Sequence, residues 1–71
     1  MLIRTGRLAR AQAELASAIA LDPENASAHT NLGLLLAQQG QIARAAAEFQ
    51  AALRINPRLQ QAQEALRAIG R

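Results

Sequence analysis

Hydrophobic and polar positions alternate with a helical period through most of the chain. Between residues 42 and 55, apolar side chains recur at intervals of three and four, at Ile42, Ala45, Phe49, Ala52 and Leu53. Residues at these intervals share one face of an α-helix, so the pattern predicts an amphipathic helix over 42–55. Similar patterns predict helices over 8–21, over about 27–39 and over about 59–69. Residues 1–5 resemble the last turn of a preceding helix.

Glycine and proline mark the ends of these helices. Asp22-Pro23 and Asn56-Pro57 each end one, because the residue before a proline is pushed out of the helical region. Gly40 ends another, since glycine tolerates the left-handed backbone found just past a helix. Between the first proline and the next apolar run, Asn25 or Ser27 is able to cap the helix that follows.

The chain also repeats itself with a period of 34 residues. This offset places Gly6 on Gly40 and Pro23 on Pro57, and it aligns Ala9-Arg10-Ala11 with Ala43-Arg44-Ala45. Matched alanines are expected by chance in so alanine-rich a chain, but the glycine and proline pairs are not. A period of this length predicts a stack of helix pairs.

Composition agrees with an all-α fold. Valine, tryptophan and tyrosine are absent and Phe49 is the only aromatic residue, so strand-forming residues are scarce. With 71 residues the chain has room for one small domain with a thin core. Small residues stand where neighbouring helices must approach closely, at Gly33, Ala45 and Ala52.

These residues resemble the tetratricopeptide repeat family. The segment from Ala26 to Leu59 carries an Asn-Leu-Gly in its first helix, a glycine at the turn, an aromatic residue between small ones, and a closing Asn-Pro. The matching positions are Asn31, Leu32, Gly33, Gly40, Ala45, Phe49, Ala52, Leu53, Asn56 and Pro57. Departures are His29 where the family usually has tryptophan, Leu36 for a usual tyrosine, and Arg67 at the small-residue position of the last helix.

The resemblance implies a single domain in which about four helices form a short right-handed solenoid. Residues 1–25 correspond to part of a repeat, 26–59 to a full repeat, and 60–71 to the first or capping helix of another. Members of the family mostly bind peptides or proteins in a concave groove lined by the first helix of each repeat. They rarely carry out chemistry.

The expected position of this groove identifies a set of candidate partner-binding residues. On the first helix of the full repeat, the side opposite the leucine stripe of Leu32, Leu35 and Leu36 carries Ser27, Thr30, Asn31, Leu34 and Gln38; the next helix adds Gln61, Glu64 and Ala68. In the family, the asparagine before Leu-Gly bonds the backbone of a bound peptide through its amide. For Asn31 a hydrogen bond between helices is an equal alternative. Recognition of an acidic C-terminus is disfavoured, because Gln61 and Ala65 are not basic.

The side chains that carry chemistry are few. Cysteine is absent, which excludes disulfides, thiolate zinc sites and cysteine catalysis. His29 has no second histidine beside it, so we expect it to fill a packing position between helices rather than bind metal. Glu14 and Glu48 each follow an arginine by four residues, which predicts surface pairs Arg10–Glu14 and Arg44–Glu48. We therefore predict no enzymatic activity, no metal and no cofactor.

Arginines provide a weaker alternative site. All eight basic residues are arginine and the net charge is +3. Arg4, Arg7 and Arg10 recur at intervals of three and would lie along one side of a helix, where phosphate or acidic groups could meet them. Nucleic acid is disfavoured as a partner, since the cluster is small and no stacking aromatic residue accompanies it.

The leading prediction is a protein-protein interaction module that binds a peptide or protein. The alternative is a structural element that assembles with a second copy or within a longer parent chain; a weak polyanion binder is third. No apolar stretch approaches the roughly 20 residues that span a bilayer, so no membrane partner is predicted. The first residues do not form a secretory signal, which favours the cytoplasm.

Overall fold

The computed structural model describes the backbone of residues 2–70 and the side chains of residues 7–70. Four helices follow one another along the chain: α1 (Leu2–Leu21), α2 (Ala26–Gln38), α3 (Ile42–Ile55) and α4 (Gln60–Ile69). No strand occurs over residues 2–70, and the predicted all-α class is confirmed. Within that range, no helix combines the length and the apolar character needed to cross a lipid bilayer.

The two turns that contain proline form the same hydrogen bond at equivalent positions. In the turn between α1 and α2, the Asp22 carboxylate accepts from the Glu24 amide at 3.2 Å. In the turn between α3 and α4, the Asn56 side-chain oxygen accepts from the Arg58 amide, also at 3.2 Å. Aspartate and asparagine suit this place because a short side-chain oxygen reaches the backbone amide two residues later. The repeat in sequence is therefore also a repeat in backbone structure.

Helices α2 and α4 start differently. The Asn25 side-chain oxygen accepts from the Ala28 amide at 3.0 Å and caps α2, so Asn25 rather than Ser27 is the cap. At the start of α4 the cap position belongs to Leu59, whose side chain has no acceptor. An asparagine cap satisfies a backbone amide that the first turn of a helix leaves unpaired. Of α2, α3 and α4, only α2 has this support.

The end of α2 confirms the predicted role of Gly40. Its φ angle is 82°, in the left-handed region where side chains with a β-carbon are strained. The Gln41 amide donates to the Leu36 carbonyl at 2.9 Å and the Gly40 amide donates to Ala37 at 3.0 Å. This pair of bonds reverses the chain within two residues. The reversal brings α3 back against α2.

Helix α1 is longer than its sequence pattern predicts. It runs without interruption from Leu2 to Leu21. The prediction that residues 1–5 belong to a preceding helix, separated from this one near Gly6, is therefore wrong for residues 2–5. Met1 lies outside the described residues. Glycine permits a left-handed turn but does not impose one. At Gly40 the reversal is stabilised because a full helix packs on either side.

The core lies between α2 and α3. Leu32 and Leu36 of α2 pack with Ala45 and Phe49 of α3, and all four are buried. The surrounding half-buried residues come from α1, α2 and α4: Leu15, Ile19, Leu34, Ala37, Ala65, Leu66 and Ile69. Helix α2 contacts each of the other three helices, whereas α1 contacts α2 alone. The full repeat therefore forms the centre of the domain.

Close packing at Gly33 explains the size of the residue there. A β-carbon built on Gly33 would lie 2.6 Å from Cε1 of Phe49 and 2.8 Å from Cδ1, inside any normal carbon-carbon contact. Ala45 and Ala52 on α3 are also completely buried. The prediction that small residues mark close helix approaches is confirmed at Gly33.

Candidate interaction surface

A narrow strip of α2 remains open to solvent. Ser27, Asn31 and Gln38 are exposed and Leu34 is half-buried. With 3.6 residues per turn these four positions fall within about 60° of the helix circumference. The remaining circumference of α2 is largely covered, because α1, α3 and α4 pack around it. The strip is therefore the side of α2 on which another chain has room to lie.

Thr30 does not belong to this exposed strip, so the prediction that it faces outward is wrong. It is completely buried, and its hydroxyl donates to the Ala26 carbonyl at 2.9 Å. That bond within the helix satisfies the hydroxyl without water. The sequence pattern underestimated the burial of α2, since three neighbouring helices cover a wider face than the single leucine stripe indicates.

The two amides on the strip are open. Asn31 and Gln38 form no side-chain hydrogen bond with any other described residue. Asn31 therefore does not form the alternative hydrogen bond to another helix with any of residues 7–70. Each amide offers two donors and an acceptor to a binding partner. Leu34 lies between them along the strip and packs against the core cluster on its inner side.

Helix α4 carries the other predicted groove residues, Gln61, Glu64 and Ala68, and Ala68 is exposed. Gln61 and Glu64 are both exposed, and α4 contacts α2 directly. Their three-residue spacing puts them on neighbouring turns of one face. The structure thus places two more exposed polar side chains on a helix that contacts α2.

A second polar cluster surrounds His29. Its Nδ1 lies 2.7 Å from Oε1 of Glu48 and its Nε2 lies 3.0 Å from the Pro23 carbonyl oxygen. The side chains of His29 and Glu48 are 13% and 25% exposed. This position between α2, α3 and the preceding turn confirms the predicted packing role of the histidine.

The environment of His29 favours its charged form. Burial, the largest influence, lowers the pKa of His29, but the bonds to Glu48 and Pro23 and the charges of Glu48 and Glu24 raise it more. The net result is a pKa above the ordinary value of 6.5. Negative neighbours and acceptors stabilise the imidazolium, which explains the direction of the shift.

Neither predicted arginine-glutamate pair forms. Glu48 bonds His29 instead of Arg44, whose Nη1 donates to Oε1 of Gln41 at 2.9 Å. Arg10 and Glu14 are both exposed and make no ion pair with each other. An exposed pair on one helix gains only a few tenths of a kcal/mol, so other partners compete easily.

The basic run lies on α1, a different helix from the one that carries the α2 strip. Arg7 and Arg10 are exposed on α1, while the Arg4 side chain is outside the described residues. Helix α1 contacts α2 but neither α3 nor α4. The structure therefore does not combine these arginines with the residues of α4 into one surface.

Sequence reasoning missed a bond that the repeat could have revealed. Gln63 Nε2 donates to the Pro57 carbonyl, and this pair is equivalent to His29 and Pro23 one period earlier. Aligning the two repeats places Gln63 on His29 and Pro57 on Pro23, so the 34-residue spacing could have predicted that both side chains bond the proline carbonyl. What the alignment does not contain is the third partner, Glu48.

Comparison with known proteins agrees with this architecture. A family model described as tetratricopeptide repeat matches residues 2–59. Neither the curated proteins nor the solved structures contain a match to this chain. Tetratricopeptide repeats are in general protein-protein interaction units and are typically not catalytic. The matched region includes α1, α2, α3 and both proline turns, and the chain therefore belongs to the tetratricopeptide repeat family.

Proposed function

We propose that this chain binds an extended peptide or protein segment along the α2 strip and the adjoining face of α4. The observation that carries the proposal is the pair of open amides, Asn31 and Gln38, on either side of the half-buried Leu34. An extended backbone presents amide and carbonyl groups that need partners when they leave water. Two amide side chains beside one apolar contact supply such partners.

Polarity makes this strip better suited to a peptide than to an ionic ligand. Its exposed members on α2 are neutral, and the adjoining Gln61 and Glu64 add one amide and one negative charge. A phosphate-rich ligand would meet no positive charge among these five polar side chains. A neutral or basic segment is therefore the partner that the chemistry favours.

The first prediction concerns the two amides. We expect Asn31→Ala combined with Gln38→Ala to weaken partner binding about tenfold, because two neutral hydrogen bonds are lost. Both side chains are exposed, so helicity by circular dichroism should hardly change. A partner identified by crosslinking and mass spectrometry would be titrated against each variant. Gln50→Ala, a matched change at an exposed site of α3, is expected to leave affinity unaltered.

Charge reversal separates this proposal from the polyanion alternative. Replacing Arg4, Arg7 and Arg10 with glutamate should change the affinity for the partner less than the amide variant does. Added salt should also have little effect on the affinity of the unmodified protein. If the arginine variant abolishes binding and the amide variant does not, the partner site is on the basic run of α1. That result would refute binding at the α2 strip.

A second candidate function is self-assembly. It is favoured by the position of α1, which contacts α2 alone, and by Leu21 at its end, which is 88% exposed. Exposed apolar surface gains free energy when a second molecule covers it. Fewer than three repeats are also marginal without neighbours.

The second prediction tests this alternative by sedimentation. If two copies cover each other's α1, the weight-average mass should rise with concentration and Leu21→Gln should reduce the rise. Ile42, 43% exposed on α3, provides the control substitution Ile42→Gln, which should matter less. A well-folded monomer at near-millimolar concentration would eliminate self-assembly as the function.

A further inference from the structure

Both ring nitrogens of His29 face oxygen acceptors. Nδ1 lies against the Glu48 carboxylate and Nε2 against the Pro23 carbonyl, at 2.7 and 3.0 Å. A neutral imidazole has one N–H, so one of the two acceptors would then face a lone pair. The doubly protonated ring donates to both. The geometry of this cluster, which we name the His29 clasp (His29, Glu48 and Pro23), is thus complete only when the ring is charged.

The charges around the ring all have the same sign. Among the described residues, those that act on His29 are Glu48 from α3 and Glu24 from the turn before α2, and both are acidic. None of the charged groups that shift the pKa of His29 is basic, although α3 also carries Arg44 and Arg54. Protonation therefore adds one charge-assisted bond and gains the attraction of two carboxylates.

The clasp joins three segments of the domain. Pro23 lies in the turn that ends α1, His29 lies on α2, and Glu48 lies on α3. Over the described residues, the backbone of α1 approaches α2 closely but not α3, so the attachment of α1 to the rest of the molecule depends mainly on α2 and this turn. A change in the clasp therefore acts on the junction between α1 and the α2–α3 pair.

The second half of the chain contains an internal reference for this junction. Gln63 donates to the Pro57 carbonyl from the position equivalent to His29. A glutamine amide keeps its N–H at every pH that the protein survives, whereas an imidazole does not. The same bond to a proline carbonyl thus occurs twice. The bond from Gln63 does not change with pH, whereas the bond from His29 depends on the protonation of the ring.

We propose that the His29 clasp is a pH-dependent switch that holds the α1 end of the domain on the α2–α3 pair when His29 is protonated and loosens it when the proton leaves. The loosened junction is the one that covers Leu15 and Ile19, the α1 residues that pack on the core. The direction of response follows from linkage. Because the folded state raises the pKa of His29 above 6.5, the added stability is fully present below pH 6.5. It is lost as pH rises through the folded-state pKa.

The test begins with the unmodified protein. His29 is the only histidine, so its ring resonances in an NMR titration are unambiguous. We expect a titration midpoint above 6.5, and we expect Glu48→Gln to bring it down toward the ordinary histidine value. A midpoint at or below the ordinary value, or one that Glu48→Gln leaves unchanged, would overturn the proposal.

Stability supplies the second readout. His29→Gln copies the arrangement of Gln63 and removes the titrating group while keeping a donor for Pro23. Relative to His29→Gln, the unmodified protein should lose melting temperature as the pH rises from about 5.5 to about 8.5, because the added stability is lost with the proton. Parallel pH dependence of the two proteins would contradict the switch.

Hydrogen exchange then locates the effect. After correction for intrinsic exchange rates, amides near the turn that ends α1 should lose protection at high pH, and those near the equivalent turn after α3 should not. His29→Gln should remove this difference. Equal loss at both turns would show a general effect of pH and would refute a local clasp.

Discussion

Phe49→Ala is expected to destabilise the protein strongly. The Phe49 side chain is completely buried at the centre of the α2–α3 core and is the largest buried side chain of the described residues. Truncating a buried phenylalanine costs about 3–5 kcal/mol in the free energy of unfolding. At the usual stability per residue, a domain of 71 residues has about 4–11 kcal/mol in total. One substitution thus removes much of the stability or all of it.

Urea denaturation followed by far-ultraviolet circular dichroism measures this loss. The variant should either begin largely unfolded or show a much lower midpoint than the unmodified protein. Gln50→Ala, at the exposed neighbouring position of α3, is the control and should shift the midpoint little. Matching midpoints for Phe49→Ala and Gln50→Ala would mean that the core does not depend on the aromatic ring.

Gly33→Ala is expected to destabilise the fold, although alanine is the better helix former. Helix propensity alone predicts a gain of about 1 kcal/mol, because glycine is unfavourable inside a helix. The new β-carbon would, however, lie 2.6 Å from Cε1 of Phe49. The ring is completely buried among core residues, and in a close-packed core it can move only by displacing its neighbours. Overpacking of this kind costs about 1–3 kcal/mol, so the steric effect prevails.

A double-mutant cycle tests the cause. Leu15, which is half-buried on α1, occupies the place of Phe49 one repeat earlier, so Phe49→Leu is a substitution that the repeat itself suggests. In the Phe49→Leu background, Gly33→Ala should be less destabilising than in the unmodified protein, and the free energies of unfolding should not add. Additive effects would show that the β-carbon does not meet the ring.

Local signals predicted most of the helices. The bounds of α3 follow from its apolar period and from the proline after Asn56, and the end of α2 follows from Gly40. These features act within a few residues, so a sequence displays them directly. Helix α1 is the exception, because its length depends on whether a neighbouring helix makes a reversal at Gly6 favourable.

The candidate surface was only partly predictable. Helical spacing placed Ser27, Asn31 and Gln38 on one face, and in the structure all three are exposed. The same spacing put Thr30 with them, but α2 has three neighbouring helices and Thr30 is buried. Spacing shows which residues share a face and does not show how many helices cover it.

The sequence by itself determined the family, the helix pairs and their turns, since apolar period, glycine, proline and the 34-residue repeat are written in the order of residues. Tertiary structure decided which partner each polar side chain has. Glu48 lies one turn from Arg44 but bonds His29, which is 19 residues away. The half-buried histidine attracts the carboxylate more strongly than the exposed arginine does, because water screens charges less at a half-buried site. Only folding brings that histidine within reach.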